Sequence, residues 1–102
     1  MYKLRHLEGE LTRMAQAFKI ILITGARQVG KSTLLSNVFP GVKTFVFEPD
    51  SDPYLVRQDP HLFLSKQPKP LILDEIQYAP ELLSALKVVV DKDPSYGQYF
   101  LT

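Results

Sequence analysis

The chain has 102 residues, 45% of them hydrophobic and 23% charged, a net charge of +1 and no cysteine. That length holds one domain with one modest core, and the composition is that of a folded chain rather than a disordered one. The missing cysteines exclude disulfides, thiol catalysis and thiolate metal sites, and the near-neutral charge argues against a strong nucleic-acid footprint.

In chain order, Leu4, Leu7, Leu11, Met14 and Phe18 recur at spacings of three and four with charged residues between them, which predicts an amphipathic helix over Tyr2 to Phe18. Met1 to Glu10 has no hydrophobic signal region, and no apolar run reaches the ~20 residues that span a bilayer. The expectation is a cytoplasmic protein with no membrane partner. His6 has no ligand partner at metal-binding spacing and reads as a surface residue, and His61, set among capping residues, is read the same way.

The stretch Lys19 to Phe39 carries the chemistry. Ile20 to Ile23 reads as a buried strand, Thr33 to Phe39 as a helix, and Gly25-Ala26-Arg27-Gln28-Val29-Gly30-Lys31-Ser32 between them fits G-x-x-x-x-G-K-[ST], the phosphate-binding P-loop. Gly25 and Gly30 permit backbone angles and close approaches that let successive N–H groups turn toward an anion. The following helix starts behind them with free N–H groups and a positive dipole end. Gly25 through Thr33 is therefore the candidate phosphate-binding set. Within it Lys31 is expected on the β- and γ-phosphates and Ser32 on Mg²⁺.

Phe39-Pro40-Gly41 stops that helix, and Lys43 to Phe47 alternates like a strand. Asp52-Pro53 and Asp59-Pro60 each read as an N-cap followed by proline, predicting short helices near Pro53–Gln58 and Pro60–Lys66 with Leu55, Leu62 and Phe63 inward. Glu48, Asp50 and Asp52 read as capping and turn residues. Leu71-Ile72-Leu73 is an all-apolar run, as in a strand covered on both faces, and leads into Asp74-Glu75. An apolar strand ending in aspartate after a P-loop is the Walker B pattern: Asp74 is the candidate Mg²⁺ residue, and Glu75 the candidate base for the water that attacks the γ-phosphate. Pro80 and Glu81 mark a helix start, with Leu82, Leu83, Leu86, Val89 and Val90 on one face and Lys87 outside. Asp91 to Gly97 ends that helix, and Gln98 to Thr102 reads as a last strand. The β–α–β order predicts an α/β fold.

GARQVGKSTLL, LILDEIQYAPELLSALKVVVD and YFLT together resemble the AAA_14 group of AAA+ superfamily ATPases. The resemblance implies ATP as ligand and a three-layer αβα P-loop NTPase fold. Its parallel sheet would have about four strands, in the order Lys43–Phe47, Leu71–Asp74, Gln98–Thr102, Ile20–Thr24. It also implies that residues 1–102 are the first part of an ATPase domain, with a fifth strand, a lid and a C-terminal domain expected beyond, and that Ile20–Thr24 forms a sheet edge open to self-association. Thr102 matches the polar sensor position of such ATPases. No N-K-x-D guanine-reading motif is present, in keeping with ATP. The leading expectation is Mg-dependent ATP hydrolysis by the intact protein; the alternative is a nucleotide-binding regulatory or interaction module without turnover in this fragment.

Overall fold

The computed structural model describes residues 2–23, 31–52 and 55–102. Its elements are helix α1 (Tyr2–Ala17), strand β1 (Ile20–Leu22), helix α2 (Lys31–Val38), strand β2 (Lys43–Val46), helix α3 (Pro60–Ser65), strand β3 (Leu71–Asp74), a 3-10 turn (Ile76–Tyr78), helix α4 (Glu81–Lys92) and strand β4 (Tyr99–Leu101). The strands form one sheet in the order β1-β4-β3-β2. Every neighbouring pair is parallel. The order expected from the resemblance is thus the observed one.

Period-two alternation along the strands sorts the core into two layers. Leu71, Leu73, Tyr99 and Leu101 point to one face and join Phe63, Leu64, Leu82, Ala85, Leu86 and Val90 from α3 and α4. Ile21, Ile72 and Phe100 point to the other and meet Leu11 of α1 with Leu34 and Leu35 of α2. The result is three layers, helices on both faces of a parallel sheet, and it explains why β3 reads as an unbroken apolar run. Leu71, Leu73, Leu82 and Leu86 are fully buried, and each such side chain contributes about 1.5–3 kcal/mol of transfer free energy. Phe39 stacks at 4.3 Å on Phe100 on one face, and Phe45 meets Phe63 edge-on at 5.0 Å on the other.

Three local expectations need correction. No helix forms over Leu55–Gln58, the described part of the stretch assigned to Pro53–Gln58. Leu55 takes φ +55°, and the Asp52 carboxylate accepts from the Val56 and Arg57 N–H groups. That aspartate thus caps a turn rather than a helix. Leu55 and Leu62 are half-exposed, while Val56, Phe63 and Leu64 are buried. Asp59 caps α3 through the Leu62 N–H, with Pro60 at the first turn, and the helix so started carries Phe63 and Leu64 inward. On α4 the buried stripe is Leu82, Ala85, Leu86 and Val90, and Leu83, one residue and about 100° away from Leu82, is half-exposed.

Gly97, in the loop before β4, has φ +65°, and a Cβ there would lie 2.9 Å from the Ala15 carbonyl oxygen. Its N–H donates to the Phe18 carbonyl at 2.8 Å, tying the end of α1 to the start of β4.

Candidate functional site

The carboxyl ends of all four strands lie on one side of the sheet because the strands are parallel. The connection leaving β1 packs through α2 on one face, and those leaving β2 and β3 pack through α3 and α4 on the other. Ligands of open α/β sheets bind outside the strand carboxyl ends where the winding changes direction in this way.

Asp74 is the last residue of β3. By the same alternation it stands on the α2 side of the sheet, two residues beyond Ile72. There it lines a shallow cleft of about 250 Å³ together with Leu35 and Ser36 of α2, Thr44 and Val46 of β2, Ile72 and Thr102. Thr102 is fixed in place by its main chain, its N–H donating to Leu73 O and its carbonyl accepting from Ile76 N–H, both at 3.0 Å. From that position its hydroxyl donates to Asp74 Oδ1. The Phe47 N–H donates to the Asp74 carbonyl at 3.0 Å, so Asp74 is held through main chain and side chain alike.

Glu75 follows in the left-handed region, φ 59° and ψ 46°, at the head of the 3-10 turn. For a residue with a Cβ this conformation is uncommon and costs ~1–2 kcal/mol. It ends β3 abruptly, and the next N–H, that of Ile76, crosses to Thr102. The Glu75 side chain accepts from Gln77 Nε2 at 2.6 Å. Two adjacent carboxylates therefore emerge at the carboxyl end of the buried strand β3, one oriented by a hydroxyl and one on a tight left-handed turn.

Gly25, Ala26, Arg27, Gln28, Val29 and Gly30 lie outside the described residues, as do the side chains of Lys31, Ser32 and Thr33. The main chain of Lys31, Ser32 and Thr33 forms the first turn of α2, which begins at Lys31, two residues earlier than expected. Helix α2 thus opens directly after the second glycine of the sequence motif, as anion binding at a helix N-terminus requires.

The donor set suits Mg²⁺. The described residues contain no group of three or more His, Cys, Asp or Glu side chains able to hold a metal alone. Mg²⁺ is commonly held by one or two carboxylates with the remaining ligands drawn from waters and substrate phosphates, and Asp74, with the hydroxyl-bearing Thr102 beside it, offers hard oxygen ligands of that kind.

The glycine-bearing motif that precedes α2 in the sequence, with the Asp-Glu pair at the end of a buried parallel strand, marks the type of domain. The AAA_14 profile, described as AAA domain, matches residues 17–102. The chain belongs to the AAA_14 family. Its topology and family make it a P-loop NTPase-like AAA domain, a class suited to nucleotide binding. It is 33% identical over 89 residues to an uncharacterized protein of Mycobacterium tuberculosis and, to the same extent, to one of Mycobacterium bovis. The matched stretch is 86% of this chain and 20% of either relative. The chain therefore spans about a fifth of the length of the curated relatives it matches. No solved structure matches it. Among the described residues no helix is long and apolar enough to cross a membrane.

The sequence motifs point to Asp74, Glu75 and Thr102, and the fold brings all three to the end of β3. They do not single out Ser36 and Thr44, which line the cleft. Nor do they single out Arg57, whose guanidinium donates to the main-chain carbonyls of Tyr78, after β3, and Glu48, after β2. No spacing in the sequence signals a residue that works on carbonyl oxygens.

Proposed function

We propose that this AAA domain binds ATP with Mg²⁺ and hydrolyses it in the cytoplasm. The observation that carries the reading is Asp74, set at the carboxyl end of β3, held by the Thr102 hydroxyl and lining the cleft shared with α2. In this reading the N–H groups of residues 25–33 and the Lys31 ammonium bind the phosphates. The Ser32 hydroxyl and the Asp74 carboxylate hold Mg²⁺, which when bound neutralises charge developing on the phosphate oxygens. Glu75 takes the proton from the attacking water, and Thr102 both orients Asp74 and supplies a polar contact near the terminal phosphate. The left-handed backbone of Glu75 supports that role, because strained conformations of this kind cluster at functional sites.

Calorimetric titration with ATP and GTP, with and without Mg²⁺, and a phosphate-release assay test this. Lys31→Ala is expected to weaken ATP binding more than tenfold, and Asp74→Asn to remove the Mg²⁺-dependent part of it. Glu75→Gln is expected to keep binding and lose release, since a positioned general base supplies about 10²–10⁴-fold. Absence of ATP binding by the wild-type chain overturns the reading. Binding with no release, unchanged in Glu75→Gln, favours instead a nucleotide-binding regulatory module.

A further inference from the structure

After β2 the chain forms a small bridge between Glu48 and Ser51 and then the turn capped by Asp52. The Asp52 carboxylate accepts from Val56 N–H through Oδ1 at 2.9 Å and from Arg57 N–H through Oδ2 at 3.0 Å. This presents the half-buried Arg57 side chain toward the segment after β3. Arg57 Nε donates to the Tyr78 carbonyl at 2.7 Å, and Nη2 donates to that oxygen as well. Nη2 also reaches the Glu48 carbonyl at 3.2 Å. One planar cation thus joins the chain leaving β2 to the chain leaving β3.

The carbonyl it grips closes the 3-10 turn that Glu75 heads. Tyr78 N–H donates to Glu75 O at 3.1 Å, and Ile76 N–H donates to Thr102 O at 3.0 Å. The turn is therefore anchored at its start by Thr102 and at its finish by Arg57, with the left-handed Glu75 at its head. A conformation that costs energy persists only where its surroundings over-determine it, and these two anchors do so. Arginine is well suited to such an anchor, because its fork is rigid and always charged, and charge-assisted bonds to a carbonyl are stronger than neutral ones.

We propose that Arg57 is the positioning residue for Glu75, locking the turn so that the carboxylate keeps its place beside Asp74; its part in turnover rests on the reading of Glu75 as base. A displacement of about 1 Å in a reacting group lowers a rate on the order of a hundredfold. Loss of the Arg57 anchor therefore acts on the chemical step and leaves phosphate binding, which lies on residues 25–33, nearly intact.

The test compares the 102-residue wild-type chain with Arg57→Met and Arg57→Lys, by amide hydrogen exchange, Mg-ATP titration and steady-state phosphate release. In Arg57→Met the Ile76 and Tyr78 amides are expected to exchange at least tenfold faster while the Phe100 and Leu101 amides of β4 keep their rates. Mg-ATP affinity stays within twofold, and kcat falls at least tenfold at unchanged KM. Arg57→Lys recovers part of both effects, since an ammonium can reach one of the two carbonyls. The exchange arm reads out whether or not the chain turns nucleotide over. Unchanged Tyr78 exchange in Arg57→Met overturns the proposal, as does exchange raised uniformly through β4, the mark of general destabilisation. A wild-type kcat in Arg57→Met alongside faster turn exchange overturns it too. Release at the wild-type rate in Glu75→Gln, with Tyr78 exchange still dependent on Arg57, overturns the base reading alone.

Discussion

Replacing Glu75 once by alanine and once by glycine isolates the backbone strain at the head of the 3-10 turn. Both substitutions remove the carboxylate, its 2.6 Å bond from Gln77 and its charge next to Asp74, so those losses cancel in the comparison. What differs is the Cβ at φ 59°. A Cβ in the left-handed region costs about 1–2 kcal/mol, whereas glycine loses about 0.5–1 kcal/mol more than alanine in chain entropy on folding. The glycine variant should therefore be the more stable of the two by about 0.5–1 kcal/mol, the reverse of the order at ordinary positions. For a domain of this size that corresponds to roughly 2–8 °C in melting temperature. Urea denaturation midpoints and thermal melts of the two variants measure it directly. An alanine variant at least as stable as the glycine one refutes the reasoning, and with it the claim that Glu75 is held in a costly conformation by its surroundings.

Two further outcomes follow from the other end of the sheet. Gly97→Ala places a Cβ 2.9 Å from the Ala15 carbonyl oxygen at φ +65°. Conformational cost and displaced backbone together should remove about 2–4 kcal/mol of stability, read from the urea midpoint, and an unchanged midpoint contradicts the close approach of α1 to the β4 loop. Asp93 accepts from Lys69 Nζ at 2.8 Å and from the Ser95 N–H at 2.9 Å. The Lys69 bond first, and the Ser95 bonds after it, hold its carboxyl well below the usual carboxylate range. A carboxyl depressed by folding contributes stability above its unfolded pKa and loses it as the pH falls below about 4. Between pH 5 and pH 2.5 the Asp93→Asn variant should therefore lose less stability than the wild type. Because the pair is exposed, the difference should shrink in 1 M salt, and identical acid profiles for the two proteins refute the pairing.

Much of the site is legible in the sequence because its determinants are local. Gly25 to Ser32 is a contiguous motif whose spacing follows from main-chain geometry, and Asp74-Glu75 is marked by the apolar strand it ends. The burial of Leu71-Ile72-Leu73 on both faces follows from their being apolar without alternation. Where the same reasoning fails, a local signal fits more than one structure or helix phase. Leu55 and Leu62 read as inward, yet the Asp52 carboxylate fixes a turn at Val56 and Arg57, and the phase of α3 carries Phe63 and Leu64 to the core.

By itself the sequence pointed to the AAA_14 family, to most of the strands and helices and to the two candidate carboxylates, since motif, periodicity and capping are set by residues close along the chain. Only the tertiary structure decided how Asp74 and Glu75 are held. The Thr102 hydroxyl reaches Asp74 because β4 pairs in parallel with β3. Arg57 reaches the Glu75 turn because the chain leaving β2 folds back against the chain leaving β3. Contacts between segments this far apart along the chain depend on register and on main-chain carbonyls that every residue possesses, so no pattern of side-chain types announces them.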